Sequence, residues 1–462
     1  MELSLEEARE RLRAHGQEHV LAHWDRLEDP ARKGLLDQIA GLDFESVEIM
    51  RDLLATRSAK KEARDIEPGD VLPVTALQDP EAIAEGERVL RAGEAGVILV
   101  AGGQGSRLGF DGPKGCYPLA PVSQASLFAI HAHKIVALER AFDTEIPFYI
   151  MTSPANDADT RCFFEEHEYF GLRPERVHLF EQGTCPALWG DGRMVLSRPD
   201  RIFMSPDGHG GTIAALEASG MFDDMRARSV RVLFYFQVDN PLVEIADPAF
   251  LGLHCLREAD VSVKVCAKRE PEEGLGVVAT SDGRSCVVEY TELTCRQKTE
   301  RREDGDLRFL YGSVAIHVFS RALLEREART PLPFHLAHKK VAYCDEEGRR
   351  IEPESENAYK FERFIFDVLP HAGRVLNVAF RREDEFSPVK RADGPDSPET
   401  SRRDISRKFA GWLEACGVAV PKDAAGHPAA RIEIDPRTAR NAAELRSRLP
   451  RGFTLTGDFL LA

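Results

Sequence analysis

Hydrophobic residues follow two different rhythms along this chain. From residue 3 to about 60 they recur at helical spacing: Leu3, Leu5, Ala8 and Leu12, then Val20, Leu21, Trp24 and Leu27. This spacing predicts amphipathic helices. From about residue 95 short apolar runs alternate with helix-like segments. Gly96-Val-Ile-Leu-Val100, Pro147-Phe-Tyr-Ile-Met151 and Arg231-Val-Leu-Phe-Tyr-Phe-Gln-Val238 predict strands, and Ser126 predicts the N-cap of a helix that begins at Leu127. Strands alternating with helices predict a mostly parallel sheet covered on both faces, with a site at the C-terminal ends of the strands. Between about 260 and 320 the pattern turns β-rich, with turns at Asp282-Gly283 and around Gly305, between Asp304 and Asp306. Residues 382–405 are charged and punctuated by prolines, which predicts a loop or a boundary. Beyond them the chain reads as short strands and turns, without internal repeats.

The most informative break in this pattern lies at Val97-Ile-Leu-Val-Ala-Gly-Gly-Gln-Gly-Ser-Arg-Leu-Gly-Phe-Asp-Gly-Pro-Lys-Gly115. A buried strand ends abruptly in a glycine-dense turn that carries Arg107 and Lys114. Glycines let backbone N–H groups close around a bulky ligand, and successive N–H groups with two cations suit a polyphosphate. Neither common phosphate loop fits. After Gly103 and Gly105 the next glycine is Gly109, one position late for the dinucleotide fingerprint. Lys114 lies between Pro113 and Gly115, so Gly-Lys-Ser/Thr is missing as well. The loop therefore reads as a nucleoside triphosphate site of another kind.

The net charge of −16 opposes nucleic-acid binding as the main task, and an acidic protein that binds a polyanion must concentrate its cations locally. No apolar run approaches the roughly 20 residues of a membrane span. The acidic start Met1-Glu-Leu-Ser-Leu-Glu-Glu7 does not read as a signal peptide. Nine cysteines without a C-x-x-C pair point to reduced thiols and a cytoplasmic protein. Cys116 stands beside Lys114 and Gly115 and raises the question of a redox-sensitive thiol.

Further candidates follow along the chain. Asp239 leaves the strongest apolar strand, beside the phosphate loop, and is a natural Mg²⁺ ligand because magnesium bridges one or two carboxylates to substrate phosphates. A turn-forming role is the alternative. Met204-Ser-Pro-Asp-Gly-His-Gly-Gly-Thr-Ile-Ala-Ala-Leu216 is a second glycine-rich loop feeding a helix, whose amides suit hydroxyl recognition. A tight helix entry would use the same glycines, Asp207 could be a cap, and His209 by itself is not read as a general base. Lys360 and Lys390 are additional cations, although an isolated lysine is ordinarily a solvated side chain. Phe361, Phe364 and Phe366 have the character of core residues.

Taken in order, the segments 101–115, Tyr149-Ile-Met-Thr-Ser153, Tyr169-Phe-Gly171, Phe180-Glu-Gln-Gly183, Ser205-Pro-Asp-Gly-His-Gly-Gly211, Val238-Asp-Asn240, Val287-Val-Glu-Tyr290 and Arg382-Glu-Asp-Glu-Phe-Ser-Pro-Val-Lys390 resemble the eukaryotic-type UDP-sugar pyrophosphorylases. The similarity covers most of the chain and is closest to the UDP-N-acetylglucosamine branch. It implies an α/β protein in three parts: a helical N-terminal region (1–88), a central Rossmann-like uridylyltransferase domain with a mixed sheet (89–384) and a small β-containing C-terminal domain (385–462). The implied reaction condenses UTP with a sugar 1-phosphate, N-acetylglucosamine 1-phosphate or glucose 1-phosphate, giving a UDP-sugar and pyrophosphate. By the match, Ala101, Gly102, Gly103 and Gly105 would hold the nucleotide, and Gln182 with Gly208 would read uracil. Arg107, Lys114, Lys360 and Lys390 would neutralise the phosphates, and Asp239 would hold Mg²⁺ (Mn²⁺ is an alternative). Gly276, Glu289, Phe364 and Phe366 match positions around the sugar.

Two departures concern that sugar. His209 stands where the N-acetylglucosamine enzymes have asparagine. Ser313, in Leu310-Tyr-Gly-Ser-Val-Ala-Ile-His317, replaces another asparagine. Losing groups that grip hydroxyls or an acetamide changes discrimination. A glycosyltransferase would more typically carry Asp-x-Asp where this chain has Val238-Asp-Asn-Pro241. A nucleotide sensor without activity would have lost one of the phosphate cations or the acid, and all of them are present.

Overall fold

The computed structural model describes residues 3–57 and 65–462. The end of the expected N-terminal helical stretch, residues 58–60, and the first two residues lie outside the described part. The chain forms two compact units, built from interleaved segments.

The larger unit comprises Ala63–Glu181, Thr212–Thr330 and Val368–Ala462. Its centre is a ten-stranded sheet of β1 (Glu67–Pro68), β2 (Ala95–Val100), β3 (Phe148–Thr152), β4 (Val177–Glu181), β5 (Val232–Gln237), β6 (Val261–Ala267), β7 (Val277–Ser281), β8 (Arg284–Val288), β9 (Tyr311–Ser320) and β10 (Val375–Ala379). The sheet is mixed. β5, β2, β3 and β4 run parallel, in that order; the first three are almost continuously buried, as strands covered on both faces must be, while β4 at the edge buries only Val177 and Phe180. Beyond β5 the pairing turns antiparallel through β9 to β6 and β7, and β10 lies parallel to β6. The expectation of a mostly parallel sheet thus holds for one half only. Only two residues join β7 to β8, which forces that pair to be antiparallel, since a parallel crossover needs a dozen or more. They are the expected Asp282-Gly283 turn, both residues with positive φ.

The helix expected after Ser126 forms as its cap signals. Ser126 Oγ accepts the N–H of Ala129 at the start of Leu127–Phe142. The helices Pro80–Arg91 and Pro248–Leu256 cross at almost backbone contact. A Cβ on Gly86 would lie 1.7 Å from the carbonyl oxygen of Pro248, and one on Gly252 would lie 1.7 Å from that of Ala82. Helix propensity alone would favour Gly86→Ala by about 1 kcal/mol. The clash dominates, so the substitution is expected to destabilise the protein by about 3 kcal/mol, read as a lower denaturant midpoint. An unchanged midpoint would show that the crossing can open freely.

The segment 382–405 differs from the expected loop. Ser397 caps an 18-residue helix, Pro398–Ala415, with Pro398 in the first turn, where its missing N–H costs nothing. This helix packs on Ile432–Ile434, which pairs in parallel with Phe459–Leu461, and a further helix, Ala442–Arg448, completes a small apolar cluster. The C-terminal part is therefore more helical than its sequence suggested.

The smaller unit takes the described parts of Met1–Glu62 together with Gln182–Gly211 and Pro331–Asp367. Helices Leu5–Ala14, Asp29–Ala40 and Phe44–Thr56 bury Ala8, Leu12, Leu35, Ile39, Val47 and Met50 against Leu188, Met194 and Phe361. Val20, Leu21, Trp24 and Leu27 do not form the expected helix. They lie in and beside two short 3₁₀ turns, Glu18–Leu21 and Trp24–Arg26, where Val20 and Trp24 still face this core. No helix among the described residues is long and apolar enough to cross a membrane. All nine cysteines are free.

Candidate active site

In the larger unit the glycine loop leaves β2 beside the end of β5, because Val100 pairs in register with Gln237 and the Val238 N–H bonds the Val100 carbonyl at 3.0 Å. Ala101 and Asp239 therefore emerge side by side at the C-terminal edge of the parallel strands. The loop is held through its carbonyls. Asn156 Nδ2 donates to the Ala101 and Gly103 carbonyls at 2.9 and 3.3 Å, and Ser153 Oγ donates to that of Gly102 at 2.8 Å. The Gly103 carbonyl also accepts the N–H of Lys114, and the Gly105 N–H reaches the carbonyl of Gly112. Gly105 is required by packing, since a Cβ there would sit 2.7 Å from the Phe110 ring. Ser153 and Asn156, both buried, received no role in the sequence reading; their position directly after a parallel strand was the available signal.

Arg107 is exposed and Lys114 half-buried, and neither makes a side-chain hydrogen bond or ion pair with any described residue. Asp239 is buried, and its carboxylate likewise has no described partner, although its backbone carbonyl accepts the Val389 N–H at 2.9 Å. That bond places Lys390, the next residue, at the same strand end. The Lys390 ammonium lies 5.9 Å from the centre of the Phe386 ring and forms no ion pair with a described residue. In a chain whose arginines mostly pair with carboxylates, three cations left without one suit an anionic ligand. Cys116 does not share this chemistry: burial pushes its thiol up to about 12, and it packs against the apolar core.

Gly276, Glu289 and Ser313 also meet in this unit. The Ser313 N–H bonds the Gly276 carbonyl at 2.8 Å, and Glu289 Oε1 would lie 3.1 Å from a Cβ on Gly276. Ser313 sits at an irregularity in the pairing of β9 with β6, two residues before Ala315, whose φ is positive. Such bulges re-aim side chains beside sites.

The remaining candidates, Gln182, Gly208, His209, Lys360, Phe364 and Phe366, belong to the smaller unit. Gln182 is buried and spends its carboxamide on no described residue. The second glycine loop folds around Asp207. The Asp207 N–H bonds the Gly183 carbonyl, the Arg363 N–H bonds the Asp207 carbonyl at 2.6 Å, and a Cβ on Gly211 would fall 2.2 Å from Asp207 Oδ1. Burial pushes the Asp207 carboxyl up to about 6, against the opposing pull of Arg363. Gly208 has φ +88°, and a Cβ there would meet the Arg363 carbonyl oxygen at 2.5 Å.

His209 stacks on Phe364 at 5.2 Å and meets Phe366 edge-on at 5.9 Å. Its Nδ1 accepts the Ile365 N–H at 3.2 Å, which leaves the proton on Nε2. Burial pushes the imidazole down to about 4, so the ring is neutral near pH 7. Phe366 is buried, as its core character suggested, while Phe364 is half-buried and also lies 4.4 Å from His335. Lys360 lies on the strand Ala358–Glu362, its ammonium 5.0 Å from the centre of the Phe203 ring.

Among the described residues no group of three or more His, Cys, Asp or Glu could hold a metal. Magnesium is ordinarily bound through one or two carboxylates together with the oxygens of substrate phosphates.

Comparison with known proteins places these features in context. The model of the family described as UTP–glucose-1-phosphate uridylyltransferase matches residues 48–394. The chain is 36% identical to the human UDP-N-acetylhexosamine pyrophosphorylase-like protein 1, over 94% of this chain and 92% of that protein. It is 37% identical to the UDP-N-acetylglucosamine pyrophosphorylase of Saccharomyces cerevisiae, over 73% of each chain. Among solved structures, the uridine diphosphate N-acetylglucosamine pyrophosphorylase of Trypanosoma brucei, crystallised with an inhibitor, superimposes with a TM-score of 0.82 at 27% identity, covering 96% of this chain and 94% of that one.

Proposed function

Because the chain belongs to the UTP–glucose-1-phosphate uridylyltransferase family, we propose that it transfers the uridylyl group of UTP to a sugar 1-phosphate, forming a UDP-sugar and releasing pyrophosphate. The observation that carries this reading is the trio Arg107, Lys114 and Lys390, free of carboxylate partners among the described residues, together with Asp239 at the strand ends.

A phosphate oxygen of the sugar 1-phosphate attacks the α-phosphorus of UTP, and pyrophosphate leaves in line. Such a transfer asks the protein for alignment and charge neutralisation rather than for a nucleophile. The loop of Ala101, Gly102, Gly103 and Gly105 lines the nucleotide, the amides of Gly102 and Gly103 turned to it and Gly105 closing the turn on Gly112, with the loop held from behind by Ser153 and Asn156. Arg107 and Lys114 offset the charge of the leaving pyrophosphate, and Lys390 that of the phosphates being joined. Lys360 is assigned the same task, with Gln182 and Gly208 on uracil. A divalent cation fits this donor set. Mg²⁺, or Mn²⁺ in its place, would be held by Asp239 and would supply further charge neutralisation between the phosphates. The three-part division at residues 88 and 384 belongs to the same proposal, supported at the C-terminal end by the separate apolar cluster of that segment.

The sugar is assigned to Gly276, Glu289, Ser313, His209, Phe364 and Phe366, and N-acetylglucosamine 1-phosphate or glucose 1-phosphate is the proposed acceptor. His209 presents a flat ring whose Nδ1 is held by the Ile365 N–H, whereas asparagine carries both a donor and an acceptor on one amide. The substitution His209→Asn is therefore expected to raise kcat/KM for N-acetylglucosamine 1-phosphate over glucose 1-phosphate about tenfold, equivalent to about 1.4 kcal/mol. An unchanged ratio would remove His209 from sugar selection. The reading itself is tested by pyrophosphate release from UTP against glucose, galactose, N-acetylglucosamine and N-acetylgalactosamine 1-phosphates. Release that depends on one of these sugars supports it, and UTP binding without release across the panel supports a nucleotide sensor instead.

A further inference from the structure

Asn240 follows Asp239 and is buried. Its carboxamide makes two bonds to a single stretch of chain. Nδ2 donates to the carbonyl of Glu385 at 2.7 Å, and Oδ1 accepts the N–H of Ser387 at 3.1 Å. The bond from the Val389 N–H to the Asp239 carbonyl, at 2.9 Å, continues the same seam. Glu385–Val389 is thus stitched along Asp239-Asn240 up to the residue before Lys390.

The far side of the seam is equally fixed. The Glu385 carboxylate accepts from Lys264 at 2.6 and 2.7 Å, and the Lys264 ammonium, wholly buried, reaches Asp247 at 2.9 Å. Ser401, on the helix Pro398–Ala415, donates to the Ser387 carbonyl at 2.9 Å. Buried loop amides and carbonyls require partners, and here one planar side chain serves an amide and a carbonyl two residues apart. Among side chains of this size only asparagine combines donor and acceptor in this way; aspartate keeps the acceptor and loses the donor.

We propose that Asn240 is a positioning residue for the transfer: its carboxamide docks the Glu385–Val389 segment onto the end of β5, so that the Lys390 ammonium and the Asp239 carboxylate serve the same phosphates. Asn240 needs no contact with substrate to do this. The proposal rests on the roles given above to Asp239 and Lys390, and it concerns how their separation is set. Small misplacements of a catalytic group can lower a rate by about 100-fold, so a partial loosening is expected to cost about 10-fold to 30-fold in kcat.

The test is a double-mutant cycle on the full chain, with Asn240→Ala, Lys390→Ala and the pair, reading kcat and the KM for UTP. Asn240→Ala is expected to lower kcat about 10-fold to 30-fold and to move KM for UTP by less than about threefold. In the Lys390→Ala background the same change is expected to lower kcat by less than about threefold, because a residue acting through Lys390 has nothing left to position. Asn240→Asp, similar in volume, closes the same cycle if the alanine variant does not fold. The full factor recurring without Lys390 would overturn the proposal, since a general loosening of the fold acts in either background. A normal Asn240→Ala enzyme beside an impaired Lys390→Ala enzyme would overturn it alone, whereas a normal Lys390→Ala enzyme would remove the role of Lys390 and the proposal with it.

Discussion

Asp239→Ala is expected to lower turnover at least about 100-fold, a loss of about 3 kcal/mol of transition-state stabilisation, with the fold intact. The carboxylate has no described partner, so its removal strands no buried cation and creates no unpaired donor. Its backbone carbonyl, which the Val389 N–H uses, is unaffected by the substitution. Lys390→Ala should fall to a similar level, because the phosphates then lose a charge of the opposite sign at the same strand end. Single-turnover rates with saturating UTP and sugar 1-phosphate measure both. A variant within about threefold of the wild type would remove that residue from the chemistry.

The second large effect concerns stability. Lys264→Ala is expected to destabilise the protein by about 3–5 kcal/mol, because it leaves the carboxylate of Glu385 buried without its cation. Burial opposes the Lys264 charge, yet Asp247 and Glu385 together outweigh it and hold the ammonium protonated above the ordinary lysine range. Burial also raises Glu385. Without Lys264 that carboxyl rises further above its unfolded value. A raised acid contributes stability that is present below the unfolded pKa and lost as pH climbs through the folded one. The deficit of Lys264→Ala should therefore be smaller near pH 5 than near pH 8. Denaturant unfolding at the two pH values checks this, and a loss below about 1 kcal/mol at pH 8 would show that water reaches the pair.

Much of the parallel half of the fold and of the glycine loop was legible in the sequence. Continuous apolar runs such as Val232–Gln237, a cap such as Ser126, and glycines that end a strand are local signals, and local physics decides those elements. Elements decided by distant packing were harder to see. Val20 and Trp24 have helical spacing but break into 3₁₀ turns, with Val20 buried in the core and Trp24 packed against it. Pro398 looks like a loop residue until Ser397 is recognised as its cap. The seam at Asn240 is formed with residues about 145 positions away, so no neighbouring residue could have announced it. The same holds for Asn156, whose side chain reaches 55 positions back to Ala101. Glycine loops and cations were readable because their chemistry is intrinsic to the residue type, whereas the residues that hold them depend on the fold.

Uridylyl transfer itself is tested most directly by following the label of [α-³²P]UTP in the presence of Mg²⁺ and the acceptor sugar 1-phosphate. The label is expected to enter a UDP-sugar, with one pyrophosphate released per labelled product and none released without the sugar phosphate. Pyrophosphate formed without the sugar, or label that stays in UTP or appears in UMP, would contradict the assignment.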